Sequence, residues 1–500
     1  MKLRARHLDM ESGGKYIAVI NDEDAAGLGV SPLERVIARN GRRHVTCIIN
    51  TSSKFVRKGE IFLYSETAEA LDTRKGCILE VEPREELVSK AYIRKKIDGR
   101  ELSEEESRKI IYDVMERKLN DLEIAALITA FHIRGMTLEE SYYFSKTMIE
   151  TSKKLHFPGT VVDKHSVGGV PGDKTSMVLV PAVASMGLTM PKTSSRSITS
   201  PAGTSDRMEV LAPVEHSADS IRRIVKKCNA CLVWGGAMDL APADDLLIRV
   251  EHPLALDPFL LPSVMSKKKV AGSKYVAIDI PRGPETKIKT NEEAERLAKD
   301  FISLGKRLGI SVDCAITRGD QPIGHAIGPA LEAREALETL MGRGPEDLVN
   351  KVASIGGLLL QMVRKGNHRT IMETLECGGA EKKMRQIIKA QGGNADIMPE
   401  DIPYARYKRE VKSDKSGIVG SISNKSLVSI SNSAGTPKDK LSGIFLHKKI
   451  GDSVRKGEAL FTIYSEKKEK SRKAFSKARL QETYGILSHG GSKMLIESVR

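Results

Sequence analysis

The stretch Val161–Ser176, VVDKHSVGGVPGDKTS, constrains this chain more than any other: β-branched residues run into a glycine-rich turn carrying Lys164, His165 and Ser166, and Thr175 and Ser176 then open a helix. Such a strand, turn and helix are built to hold an anion. Glycines let backbone amides approach oxygen atoms with no Cβ in the way, the first helical turn offers unpaired N–H groups, and Lys164 adds a full positive charge. The GxxxxGK[ST] spacing of a nucleotide P-loop is not met. An ordinary structural turn accounts for the glycines, but not for the added lysine, histidine and two hydroxyls.

A second donor-rich stretch follows at Pro191–Glu209, PKTSSRSITSPAGTSDRME, where Ser194, Ser195, Ser197, Thr199, Ser200 and Thr204 surround a single Arg196. Hydroxyl-rich loops are often solvated turns, but this one lies one strand and helix after the first. Adjacent loops of a parallel sheet open on the same edge, so the two can hold two phosphoryl groups, one as nucleophile and one on a substrate.

Around these loops the chain alternates between strands, near Val161, Cys231, Tyr275 and Ile310, and helices, after Thr175, Ser217, Pro258 and Thr290. That is an α/β sheet with crossover helices. Further helices are expected at Pro329–Met341, Pro345–Val363 and Ala380–Ala390. Upstream, Ser103 and Glu106, Asn120 and Glu123, and Thr137 and Glu140 each place a capping residue three before a carboxylate, which predicts three consecutive helices. Residues 1–84 read as a small β domain, with strands at Tyr16–Ile20 and His44–Ile49, and β-type sequence returns after Pro403. The expected domains are 1–84 (β), 85–155 (helical, with a return segment at about 240–272), 156–239 with 273–403 (α/β, phosphate-binding), and 404–500 (β-rich). Crossings near residues 158 and 273 are candidate hinges. The run Val56–Glu66, VRKGEIFLYSE, is echoed by Val454–Glu466, VRKGEALFTIYSE, which implies two similar β-hairpins; the second also resembles the barrel-sandwich carriers of biotin and lipoate, without their acceptor lysine hairpin.

At 500 residues the chain can bury several cores without disulfides. Lys and Arg outnumber Asp and Glu by 80 to 65, a net charge of +15 that suits a phosphorylated small molecule, a nucleic acid or an anionic membrane surface, or is simply a solvated basic face. Only 4% of residues are aromatic, and no RNA-module motif occurs, which disfavours an RNA-binding protein; salt-sensitive RNA retention would reveal one. The six cysteines are dispersed, and Cys228-x-x-Cys231 lacks a second ligand pair, so the reading is packed thiols in a reducing cytoplasm, with no metal. No targeting segment or run of 18 apolar residues is visible, which argues against a membrane protein.

The run DKHSVGGVPGDKTS resembles the phosphate loop of the thymidine and pyrimidine nucleoside phosphorylase family, and the second loop is similar to that family's serine–arginine signature. A later run, Gly319–Gly324 with Gly328–Glu332, resembles another family segment. The SSRSITSPAGTSD version of the second loop, the extra Pro171 and the N-terminal β domain resemble the archaeal branch of the family that acts on AMP. The implied fold is α/β: a helical domain and a larger α/β domain with a mixed sheet, like nucleoside phosphorylases and phosphoribosyltransferases. It is flanked by the N-terminal β domain and a C-terminal α+β part like a barrel-sandwich. The implied reaction is phosphorolysis of AMP to adenine and ribose 1,5-bisphosphate, possible also with CMP and UMP, by an enzyme that is at least a homodimer. Orthophosphate is then a co-substrate, and no cofactor is implied.

Carried over residue by residue, the resemblance makes Lys164, Ser166, Ser176, Ser195 and Thr204 phosphate ligands. Gly169, Ser195, Arg196, Ser197, Ile198, Thr199, Ser200, Thr204, Ser263 and Lys287 become AMP-binding positions, and Asp257 the proton donor. Adenine leaves poorly unless a ring nitrogen is protonated, so an acid is needed. Asp257 supplies it only where burial or a neighbouring anion raises its pKa; it is otherwise a turn residue before Pro258, and His165 is the rival acid or a hydrogen-bond donor to phosphate. The segment from Asp257 to Ser263 is about two residues shorter than the branch pattern. Glu251 or its neighbour stands where pyrimidine enzymes carry a base-reading arginine. The alternatives are a phosphorylase of unphosphorylated nucleosides and a phosphoribosyltransferase, for which no persuasive set of magnesium-binding carboxylates appears.

Overall fold

A computed structural model describes residues 1–83, 87–197, 200–238 and 241–487, without the side chains of 237 and 238. The chain divides into two compact units, 1–147 with 243–258, and 148–242 with 259 onward.

The first unit begins with six strands, β1 (Lys2–His7), β2 (Ile17–Ile20), β3 (Arg35–Asn40), β4 (Arg43–Thr51), β5 (Glu60–Leu63) and β6 (Ile78–Pro83), with short helices α1 (Asp22–Leu28) and α2 (Ser65–Ala70) between them. Alternate residues such as Leu3 and Ala5, Val45, Cys47 and Ile49, and Leu79 and Val81 point inward, and the strands close in the order β1-β5-β2-β4-β3-β6. Closure leaves no open sheet edge. Helices α3 (Val88–Ile97), α4 (Glu104–Met115), α5 (Asp121–Arg134) and α6 (Leu138–Glu150) follow. All three anticipated caps form: Ser103 with Glu106 and Asn120 with Glu123 are reciprocal capping boxes, and Thr137 and Glu140 exchange the same pair of bonds. Glu140 is wholly buried because it also accepts Lys96 Nζ at 2.7 and 2.8 Å and the Leu102 amide at 3.0 Å. The expected boundary at 84/85 lies outside the described residues.

In the second unit, β7 (Val162–Ser166) leads to α7 (Thr175–Ser185), β8 (Met190–Ser194), α8 (Thr204–Met208), α9 (Ala218–Cys228) and β9 (Ala230–Trp234). After α10 (Pro242–Leu254) come α11 (Leu260–Val270), β10 (Tyr275–Arg282), α12 (Asn291–Leu308) and β11 (Ser311–Arg318). Strands β11, β10 and β7 are parallel neighbours, β8 and β9 are parallel, and the sets are joined by the parallel bridge Val161 to Thr189. Helix α7 is apolar on every side and buried, as an element enclosed by others must be. It packs with α13 (Pro329–Leu340), α14 (Glu346–Met362), α15 (His368–Glu376) and α16 (Gly379–Ala390). Antiparallel pairing enters this part of the chain at β12 (Ala326–Ile327).

The return segment expected at 240–272 is divided: 243–258 goes with the first unit, and α11 goes with the second. Helix α11 is tied to β7 by Lys268 Nζ on Asp163 at 2.7 Å, and to the link before that strand by Leu155 N–H on Val270 O at 2.8 Å.

The chain ends in β13 (Tyr407–Lys412), β14 (Gly417–Ile422), α17 (Asn424–Ala434), β15 (Gly443–Leu446), β16 (Ser453–Val454), β17 (Ala459–Ser465), α18 (Lys468–Leu480) and β18 (Tyr484–Leu487). The sheets β12-β15-β17-β13 and β16-β14-β18 enclose a core of Ile327, Leu427, Ile444, Phe461 and Ile463. The echoed VRKGE runs form the same turn, not the same hairpin. Glu60 N–H reaches Arg57 O and Glu458 N–H reaches Arg455 O, both at 3.0 Å, around Gly59 at φ 84° and Gly457 at φ 85°. Strand β5 pairs with β1 and β2, and β17 with β13 and β15, because tertiary packing sets the partners. Among the described residues no helix is long and apolar enough to cross a membrane.

Candidate active site

The loops after β7 and β8 leave the same edge of the parallel sheet, since both strands run in one direction and are neighbours. Lys192 of β8 fastens them by donating to Lys164 O at 2.8 Å. In the first loop Gly169 has φ 94°, and a Cβ there would sit 3.1 Å from Lys287 N and 3.2 Å from Thr286 Cα. The two expected nucleotide positions Gly169 and Lys287 are therefore in contact through their backbones. Lys174, buried under the loop, donates to Ile323 O at 2.8 Å and pairs with Glu335, which pins the entry to α7.

Lys164 is buried, with Nζ 3.5 Å from Asp173 and 3.7 Å from Asp279. Ser166 Oγ donates to Asp279 at 2.9 Å. Ser176 is buried in the first turn of α7, where helix N–H groups lack intrahelical acceptors. Among the described residues nothing pairs with the hydroxyls of Ser176, Ser195 and Thr204 or with the amides of Gly168, Gly169 and Val170. Burial, followed by the ammonium groups of Lys268, Lys192, Lys267 and Lys164, drives His165 well below the usual imidazole range. Burial alone would raise Asp173, but Lys164 and Lys351 outweigh it and hold the carboxyl ionised.

The second loop is closed by Asp206, which accepts the amides of Ser197 and Gly203 at 2.7 Å each. Gly203 is required there, since a Cβ would lie 2.7 Å from Ser195 O. Ser197 and Ser200 bond to one another, while Ser195 is exposed and Thr204 opens α8. Arg196 lies over Trp234 and is gripped by Glu209 at 2.6 and 2.8 Å and by Glu215 at 2.9 Å. With its charge so engaged, Arg196 shapes the loop in this structure. Ile198 and Thr199 lie outside the described residues.

Ser263 is buried on α11 and accepts from Lys267 at 3.3 Å, and Lys287 is exposed on the turn after β10. Asp257 is exposed in the link before α11 and belongs to the first unit, whereas both loops belong to the second.

Sequence reasoning missed the residues beneath the loops. Asp163 binds Lys268 and, at 3.5 Å, Lys192; burial pulls the Lys192 ammonium down to about 7 against the attraction of Asp163. Asp279 accepts Thr317 at 2.6 Å and faces Lys351 Nζ at 3.0 Å. One signal was available: Lys351 falls on the apolar stripe of Leu348, Val352 and Ile355, and an ammonium is kept in such a face only with a partner. The C-terminal segment adds contacts that no motif announced, with Lys440 on Glu209, Asn424 on Gly319 O at 2.9 Å, and the Lys425 amide on Glu285 at 2.8 Å.

Comparison with known proteins covers the chain in three parts. Residues 90–152 match the helical bundle domain of a glycosyl transferase family, 158–381 its a/b domain, and 418–486 the pyrimidine nucleoside phosphorylase C-terminal domain. Over 511 residues the chain is 46% identical to AMP phosphorylase of Thermofilum pendens, with 100% of this chain and 98% of that protein covered. It is 46% identical to the enzyme of the same name from Pyrococcus furiosus, covering 97% and 98%. For Methanosarcina acetivorans the figures are 42% identity, 98% and 97%. The solved anthranilate phosphoribosyltransferase of Thermus thermophilus aligns with a TM-score of 0.49 at 18% identity, over 60% of this chain and 98% of that one. On the strength of the full-length relatives, this chain belongs to the AMP phosphorylase family.

Proposed function

We propose that this chain catalyses the phosphorolysis of AMP, using orthophosphate to separate adenine from the sugar and form ribose 1,5-bisphosphate, with CMP and UMP as further substrates. The observation that carries the reading is the cluster of unspent donors on two neighbouring loops: the hydroxyls of Ser176, Ser195 and Thr204 and the amides of Gly168 to Val170, beside the buried Lys164. Dipoles and cations fixed in this way are what two like-charged reactants need in order to meet. Orthophosphate is assigned to the Lys164 loop and Ser176, and the nucleotide to Gly169, the second loop, Ser263 and Lys287.

A phosphate oxygen bonds to the anomeric carbon as the carbon–nitrogen bond breaks, and the bonding pair leaves with adenine. A ring nitrogen of the base takes a proton from Asp257. His165, kept neutral by burial and by four surrounding lysines, is better suited to donate an N–H bond to phosphate than to serve as the acid. The acid role of Asp257 requires its exposed carboxyl to lose water or to face the bound anions.

The test is adenine release from AMP and from adenosine, each with and without orthophosphate. Release from AMP only with orthophosphate supports the reading, equal release from adenosine favours a nucleoside phosphorylase, and release without orthophosphate rejects phosphorolysis. No resident metal or organic cofactor takes part in the proposed reaction, so activity should survive exhaustive dialysis against a chelator. A homo-oligomer in a reducing cytoplasm completes it; all six thiols are free, and sedimentation tests the assembly.

A further inference from the structure

We infer that Lys351 is a positioning residue for orthophosphate: it balances the buried carboxylates beneath the first loop and so leaves Lys164 free to engage the incoming anion. The inference rests on the phosphorolysis reading above.

Lys351 is unexpected where it stands. It sits in the middle of α14, its neighbours on that face are Leu348, Val352 and Ile355, and only 9% of it is exposed. Burying an ammonium there is costly unless a charge answers it. The answering charge is Asp279, wholly buried on β10, whose Oδ2 lies 3.0 Å from Lys351 Nζ; Lys351 also donates to Thr317 Oγ1 at 3.3 Å. Asp279 is the group to which Ser166 of the first loop donates.

Two carboxylates, Asp173 and Asp279, and two ammonium groups, Lys164 and Lys351, make a floor of zero net charge. The distances show how the charge is shared. Lys351 holds Asp279 closely, while Lys164 stands 3.5 Å from Asp173 and 3.7 Å from Asp279, beyond the 2.7–2.9 Å usual for a charge-assisted bond. Lys164 is thus attracted by both carboxylates and committed to neither. Without Lys351, the two carboxylates would share one lysine, Lys164 would be drawn down to Asp279, and the floor would oppose a dianion with a net negative charge. Burial works against the charged form of Lys351, but Asp173 and Asp279 outweigh it and keep the ammonium protonated.

A lysine that merely supported the fold would affect both substrates alike. The test is therefore steady-state kinetics of Lys351→Met with each substrate varied in turn. The expected result is a KM for orthophosphate raised about tenfold or more, with the KM for AMP changed by less than about threefold. Adding Asp279→Asn to Lys351→Met restores a neutral floor, so the orthophosphate KM should return towards that of the unsubstituted enzyme. Should Lys351→Met fail to fold, Asp279→Asn alone is compared with Asp279→Asn/Lys351→Met, and the single variant should have the lower orthophosphate KM. Equal changes in both KM values, no change in either, or a second substitution that only adds to the damage overturns the role of Lys351. A wild-type enzyme that consumes no orthophosphate overturns the phosphorolysis reading instead.

Discussion

Lys192 shows how the chemistry of one side chain can be read as stability. Its ammonium is buried between Asp163 and the Lys164 carbonyl, and its pKa falls to about 7, below the value it has when unfolded. Because the folded state binds this proton more weakly, the charged form opposes folding below about pH 7, and the penalty is released as pH rises from there towards the ordinary lysine range. In Lys192→Met the lost bond to Lys164 O costs stability at every pH but the charge penalty is gone, so the midpoint of the variant relative to the unsubstituted protein should be higher at pH 6 than at pH 9, as differential scanning calorimetry can measure. At Asp257 the expectation concerns rate: Asp257→Asn should lower kcat by about 10²- to 10⁴-fold with little change in AMP binding, and full turnover would remove it as the acid. Lys164, Ser166 and Ser176 stand out in the sequence as candidates because their glycines, charge and helix start lie within sixteen residues. The pairing of Asp279 with Lys351 was not legible: the lysine's place on an apolar stripe called for a partner, but that partner is more than thirty residues away and is met only when α14 packs on β10.

Among the elements, the capping boxes were legible for a related reason: each is a bond between residues three apart, so it forms wherever the helix forms. Glu140 adds what no local pattern contains, a buried ion pair with Lys96. Glu140→Ala removes both the cap and the partner of a buried ammonium, and should destabilise the protein by about 3–5 kcal/mol, against about 1 kcal/mol for Ser103→Ala. Urea unfolding of the two variants separates these values. The VRKGE echo marks the limit of local reading. Four residues with a glycine at positive φ specify a turn, whereas the partners of the strands that follow are chosen by packing.

Within the second unit of the molecule, the start of α17 is braced against the turns that follow β10 and β11. Ser423 and Lys425 hold Glu285, two residues before Lys287, and Asn424 holds the Gly319 carbonyl. Glu285→Ala should loosen the turn that presents Lys287 and raise the KM for AMP several-fold, about 1 kcal/mol of lost positioning, without changing the KM for orthophosphate. In the proposed reaction neighbouring turns hold two separate phosphoryl groups, one on the nucleotide and one as nucleophile. Phosphorus-31 NMR of AMP and orthophosphate incubated with the protein follows both groups at once. The expected spectrum shows both signals falling together as two resonances of one ribose 1,5-bisphosphate grow in equal amounts; loss of AMP with orthophosphate unconsumed would contradict it.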